Sequence, residues 1–172
     1  AASGTTPSKA VSTALLALAA KDERIYAITP AMTTGAHLTE FARKYPKRFI
    51  DAGIAEEHAL VLANALALSG MKPFVTIYST FLQRGYDQVN HDIARMGGAV
   101  VVGIDRCGVI GEDGVSHQGI FDVSLLLPIP DITLAQGKDA AESARLLATG
   151  FTMDSPFLLR YSKNTVPEQP LS

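Results

Sequence analysis

Phe74-Val75-Thr76-Ile77, then Thr80 to Arg95, then Ala99-Val100-Val101-Val102-Gly103-Ile104 is the stretch of this 172-residue sequence that says most about its fold. The two apolar runs have the length of strands, and the second is apolar at every position, as a strand buried on both faces requires. Between them Leu82, Tyr86, Val89 and Ile93 recur at spacings of three or four, the period of a helix. Strand, helix, buried strand is the repeating unit of a parallel sheet with helices on both faces.

The pattern extends in both directions. A first helix opens at Pro7-Ser8 and runs to Lys21-Asp22, followed by a short strand at Ile25-Tyr26-Ala27-Ile28. His37 to Lys44 reads as a second helix stopped before Pro46, and Phe49-Ile50 as a strand. The longest helical pattern is Glu56 to Ser69, closed by Gly70 as a left-handed cap. Beyond the central strand lie a glycine-rich loop from Asp105 to Gly119, a short helix at Asp122 to Leu126, a strand at Ile132-Thr133-Leu134, a helix from Asp139 to Thr149 and a strand at Phe157-Leu158-Leu159. The expected organisation is a linker at 1–8, one α/β domain at 9–165 and a second linker at 166–172.

Composition narrows the function classes. Fifteen basic and 17 acidic residues leave a net charge of −2, which provides no global attraction to nucleic acid or an anionic membrane. No apolar run approaches the roughly 18 residues of a spanning helix. Ala1 to Pro7 lacks a basic region followed by an apolar core, so a signal peptide is not expected. The single cysteine, Cys107, excludes an internal disulfide framework and a cysteine-cluster metal site, and suits a reducing cytoplasm.

Ligands of open parallel sheets bind outside the carboxyl ends of the strands. Three polar segments fall at such ends: Asp51 to His58, Tyr78 to Arg84, and Asp105 to Gly119. Each has two readings from residue types alone. Glu56 and Glu57 either complement the positive end of a helix or do acid–base work, and His58 alone reads as structural. Phe81 fits a core and Arg84 a solvated helix face. The glycine, aspartate and histidine of the third segment fit a phosphate loop, a metal site or a turn, although Asp113 and His117 are too few for structural zinc.

Taken together, the segments are more specific. Gly53-Ile54-Ala55-Glu56-Glu57-His58-Ala59, Ile77 to Val89 with His91-Asp92, and Ile104-Asp105-Arg106-Cys107-Gly108 with Asp113 to Gly119 closely resemble the 1-deoxy-D-xylulose-5-phosphate synthase family, from about Pro7 to Asn164. The resemblance implies the pyrimidine-binding, transketolase-like module of a thiamine diphosphate enzyme that joins pyruvate and glyceraldehyde 3-phosphate and releases carbon dioxide. It implies that Glu56 hydrogen-bonds the cofactor's N1′, that Phe81 packs on the pyrimidine, and that Ile54 lines the same pocket. It places Tyr78, Arg106 and Lys163 at the phosphorylated acceptor, and Arg84, Asp113 and His117 around the reacting carbons. Such roles suit the chemistry: a sheltered carboxylate at N1′ lets the cofactor's own 4′ nitrogen take the thiazolium proton, while histidine and arginine shuttle protons and stabilise oxyanions.

Three positions depart from the family pattern. Glu57 stands where glutamine is usual, and a second carboxylate disfavours ionisation of a neighbouring one. Cys107 stands for alanine and reads as a small buried residue. Lys163 stands for a phosphate-binding arginine, keeping the charge without the bidentate fork. The diphosphate-and-magnesium half of such a site is marked by glycine-aspartate-glycine and an asparagine roughly thirty residues later. After Glu112-Asp113-Gly114 no asparagine follows at that distance. The expectation is therefore a chain inactive alone, needing a diphosphate-binding domain or chain that holds Mg2+, and assembling as a homodimer. The alternatives are a stand-alone subunit of a split transketolase-like enzyme, or a non-catalytic binding module of the same fold.

Overall fold

The computed structural model describes residues 4–164, so the expected C-terminal linker at 166–172 and the first three residues lie outside the described part. Helix α1 (Pro7–Ala19) begins with Pro7 in its first turn, and Thr6 caps it by accepting the Lys9 backbone N–H. There follow β1 (Ile25–Thr29), α2 (Thr39–Lys44), β2 (Phe49–Asp51), α3 (Glu56–Leu68), β3 (Lys72–Tyr78) and α4 (Ser79–Leu82). The chain continues through β4 (Val101–Asp105), α5 (Asp122–Leu126), β5 (Thr133–Gln136), α6 (Ala140–Gly150) and β6 (Phe157–Arg160).

The six strands form one all-parallel sheet in the order β2-β1-β3-β4-β6-β5. Its register explains the apolar runs. Ile50, Ile28, Val75, Val102, Leu158 and Leu134 align across all six strands. This aliphatic row packs against Leu60 and Ala63 of α3 and against Val89 and Ile93. The adjacent row, Phe49, Ala27, Phe74, Val101 and Phe157, points the other way onto Val11 and Leu15 of α1 and Leu147 of α6. Successive strand residues face opposite layers, so each buried strand must be apolar throughout.

Several boundaries differ from the sequence expectation. The segment from Thr80 to Arg95 is not one α-helix: α4 gives way to a 3₁₀ turn at Gln83–Gly85 and then to a π-helix at Gln88–Ala94. Gly85 closes the 3₁₀ turn, where a Cβ would lie 2.3 Å from Leu60 Cδ1 of α3. In the π-helical stretch the Arg95 N–H donates to Asn90 O; the Asp92 carbonyl accepts from Asn64 Nδ2 of α3 at 2.7 Å. The second helix starts at Thr39 rather than His37, since His37 has a left-handed backbone with φ of 56°. The central strand begins at Val101, two residues later than its apolar run. Helix α3 does end as expected: Gly70 has φ of 86°, its N–H donates to Ala67 O, and the Met71 N–H donates to Leu66 O, the pairing of a glycine-terminated helix.

Candidate active site

Strand β3 passes directly into α4 at Tyr78–Ser79. Tyr78, Phe81 and Arg84 are spaced by three residues, and the 3₁₀ winding that begins at Gln83 keeps such positions in line. Their side chains stack accordingly: the Tyr78 and Phe81 rings lie 5.5 Å apart at 22°, and Arg84 Cζ sits 5.3 Å from the centre of Phe81. The edge of His117 meets Phe81 at 5.4 Å. Gly35 makes room for this stack, because a Cβ there would fall 1.9 Å from the Tyr78 hydroxyl.

Glu56 is the first residue of α3 and only 3% exposed. Its Oε1 accepts a 2.8 Å hydrogen bond from Arg84 Nη1; Oε2 has no hydrogen-bond partner among the described residues. Oε2 is not among the fully buried unpaired atoms, so it is open to a donor from outside the chain. Glu57 and His58, next in sequence, are exposed. The turn before α3 is shaped by Asp51, which accepts from the N–H groups of Ala31 and Gly53 and from the Thr33 hydroxyl. Burial works against the charge on Asp51, but these hydrogen bonds hold its carboxyl below the usual range. Ile54 in the same turn is 82% exposed.

The other end of the rim follows β4. Arg106 has a left-handed backbone (φ 58°) and its guanidinium spans two partners, with Nη2 2.9 Å from the Tyr78 hydroxyl and Nη1 2.7 Å from Asp113 Oδ2. Lys163 Nζ lies 3.0 Å from Asp113 Oδ1 and 2.7 Å from Glu112 Oε1. Burial opposes the negative charge on Asp113, yet Lys163 and Arg106 hold its carboxyl below the ordinary value. Arg106 Nε is buried and without a partner among the described residues.

The three polar segments do meet, although their strands are not all neighbours. Strand β1 lies between β2 and β3, and it is the start of α3 that brings Glu56 to Arg84. Glu56, Arg84, Phe81, Tyr78, Arg106, Asp113, His117 and Lys163 form one continuous series of contacts; Ile54 stands apart on the exposed turn.

Two supporting residues were not singled out from the sequence. Asp105 is 1% exposed; its carboxylate accepts from Ser8 Oγ of α1 and from the Arg106 N–H. Desolvation, partly offset by these contacts, pushes its carboxyl up to about 6. Gln118 braces the Asp113 turn, its Oε1 accepting from the Ile110 N–H and its Nε2 donating to the carbonyls of Ile110 and Gly114. An aspartate ending an otherwise apolar central strand was the available signal for the first. Nothing local in the sequence marks the second.

A family model described as the transketolase pyrimidine-binding domain matches residues 4–169. Among curated relatives, the chain is 53% identical over 161 residues to a protein of Listeria monocytogenes serotype 4b named 1-deoxy-D-xylulose-5-phosphate synthase, covering 93% of this chain and 26% of that one. A protein of the same name from Alkalilimnicola ehrlichii is 49% identical over 153 residues, covering 89% of this chain and 24% of its own. The chain thus spans about a quarter of the length of these relatives. Among solved structures, a split-gene transketolase described as an inactive beta4 tetramer superposes with a TM-score of 0.85 at 25% identity, over 96% of this chain and 54% of that one. Transketolase from Leishmania mexicana superposes with a TM-score of 0.89 at 20% identity, over 100% of this chain and 27% of its own, a likeness of fold.

Proposed function

Because the chain belongs to the transketolase pyrimidine-binding domain family, we propose that it is the aminopyrimidine half of the site of a 1-deoxy-D-xylulose-5-phosphate synthase, the enzyme its relatives are named for. The reaction joins pyruvate to glyceraldehyde 3-phosphate with loss of carbon dioxide. The observation that carries this reading is Glu56, a buried carboxylate at a helix start with Oε1 held by Arg84 and Oε2 open. An aminopyrimidine fits that arrangement: N1′ presents a donor when protonated, and Phe81, reached through the same Arg84, presents a flat apolar wall.

Thiamine diphosphate, when bound, supplies the carbon nucleophile that two-carbon transfer requires. Glu56 accepts the N1′ hydrogen bond and keeps a proton there, and Arg84 keeps the carboxylate aimed. Tyr78, Arg106 and Lys163 receive the phosphate of the acceptor, and Ile54 gives the cofactor an apolar edge. His117, whose edge meets Phe81, exchanges a proton with the reacting oxygens, and Asp113, held ionised between Arg106 and Lys163, orients those two cations beside the reacting carbons. No group of three or more His, Cys, Asp or Glu among the described residues is placed to hold a metal, and we assign the diphosphate and its Mg2+ to a separate diphosphate-binding module. On this reading the chain is inactive alone and works in the cytoplasm within a dimeric assembly. Val115 and Phe121, each more than half exposed, lie on surfaces the rest of the assembly covers.

The deciding experiment substitutes Glu56→Gln and Glu56→Ala in enzyme carrying this chain together with its diphosphate-binding module. Turnover should fall by about 10²- to 10⁴-fold; turnover within tenfold of the parent would remove Glu56 from the mechanism. A second reading, a stand-alone subunit of a split enzyme, draws on the likeness to the split-gene transketolase. An immunoblot of source-cell extract separates the two: a band at 18.2 kDa means a split subunit, and a band several-fold larger means a domain.

A further inference from the structure

At the acceptor end of the rim each cation is already ion-paired to a carboxylate. Arg106 and Lys163 supply two positive charges, and Asp113 and Glu112 return two negative ones at 2.7–3.0 Å. The two carboxylates are not equivalent. Asp113 bridges both cations and is largely buried, with a side chain 16% exposed. The Glu112 side chain is 69% exposed, and Lys163 is its one ion-pair partner among the described residues. Both sit in the 3₁₀ turn Gly111–Asp113, which Gln118 fastens through the backbone on either side.

We infer that Glu112 determines how strongly this site takes a phosphate group: it is an internal counter-anion that occupies Lys163 and must be displaced when an anionic acceptor enters. The inference rests on the acceptor-site reading above and adds to it a residue outside the contacts assigned there. Asp113 and Glu112 take two of the three ammonium donors, so a phosphate that reaches Lys163 comes up against the Glu112 charge, and it is this repulsion that drives the exposed carboxylate off. The exchange is easy because an exposed carboxylate regains water when it leaves, and an exposed ion pair is worth little. Binding of the phosphate is thereby an exchange of anions rather than the filling of a bare cationic pocket. The site holds its phosphorylated ligand less tightly than Arg106 and Lys163 alone would.

Glu112→Gln tests this, since it preserves size and removes only the charge. In enzyme carrying this chain with its diphosphate-binding module, KM should be measured for D-glyceraldehyde 3-phosphate and for D-glyceraldehyde, with inorganic phosphate as a competing anion. The variant should lower KM for the phosphorylated acceptor, and the inhibition constant of phosphate, by about two- to fivefold at low ionic strength. The gain should shrink as salt screens the exposed charge. KM for D-glyceraldehyde should not move, and adding Lys163→Ala should abolish the gain. Unchanged values for the phosphorylated acceptor, or equal shifts for both acceptors, would overturn the role of Glu112. Should Arg106→Ala also leave KM for D-glyceraldehyde 3-phosphate unchanged, the acceptor site itself is misplaced and the inference falls with it.

Discussion

The two ends of the rim handle charge in opposite ways. At the Glu56 end a single buried carboxylate meets a single cation, and its position is set by backbone: α3 begins there, and Gly85 lets the Arg84 turn close onto it. At the Arg106 end four charged side chains share contacts on a loop, and Glu112 faces solvent. A group that must hold one proton at one atom profits from a rigid mounting. A group that must admit and release an anion profits from partners that can be exchanged. Tyr78, Phe81 and Arg84, running along α4 and the 3₁₀ turn after it, join the two ends.

The contrast is broken most severely by substitution at the Glu56 end. Glu56→Gln should reduce turnover by the factor given above while leaving KM for the acceptor within about threefold, because an interaction made with the cofactor rather than the acceptor appears in kcat. Arg106→Ala should do the reverse. Hydrogen bonds to charged groups contribute about 1.5–3 kcal/mol, so KM for glyceraldehyde 3-phosphate should rise roughly tenfold or more, with a smaller change in kcat. Steady-state kinetics on the two variants in parallel checks both. Matching kcat and KM changes in the two would mean that the ends do not act separately.

Asp105 sharpens the comparison from beneath, because it anchors the Arg106 backbone while buried against α1. Its carboxyl titrates at about 6 in the folded chain against an ordinary 3.8. Between those values the native state binds the proton more readily than the unfolded state, so stability should fall as pH rises through the window. The full loss, on the order of 2–3 kcal/mol, should be in place above pH 6 and absent below about 4. Asn at this position can still accept from the Arg106 N–H. The difference in unfolding free energy between Asp105→Asn and the parent should therefore shift in favour of the variant from pH 4 to 7, as read by urea denaturation. A difference independent of pH would show that the carboxyl titrates normally.

What the sequence revealed and what it hid follow from the range of the interactions. The sheet was legible because strands buried on both faces must be apolar at each position, and Val101 to Ile104 are. The candidate segments were legible because polar residues gather at strand ends, but the roles within them came only from the family resemblance, and Lys163 lies outside all three. The long helix expected over Thr80 to Arg95 was wrong because periodicity at Leu82, Tyr86, Val89 and Ile93 survives a 3₁₀ turn and a π-helix. At the irregular stretch the chain packs on Leu60 and bonds Asn64, both more than twenty residues away in sequence. Asp105 with Ser8 and Glu112 with Lys163 escaped for the same reason: each pairing joins residues about 50 or more positions apart, where spacing carries no information.

Glu57 provides the mildest test of the division between the two ends. It stands beside Glu56 in sequence, and a second carboxylate at that point suggests competition for a proton. The helix separates the two, however: Glu56 turns inward to Arg84, and Glu57 is exposed in the first turn of α3. A charge in solvent acts weakly on a neighbour because water and salt screen it. Glu57→Gln should therefore change kcat by less than about twofold and leave its pH profile in place. The loss should appear in stability instead, since an acidic residue in the first turn complements the helix dipole by about 0.3–1 kcal/mol. A kcat change well beyond twofold, or a displaced pH profile, would mean that the exposed charge reaches the buried carboxylate and that the Glu56 corner is less sheltered than its burial implies.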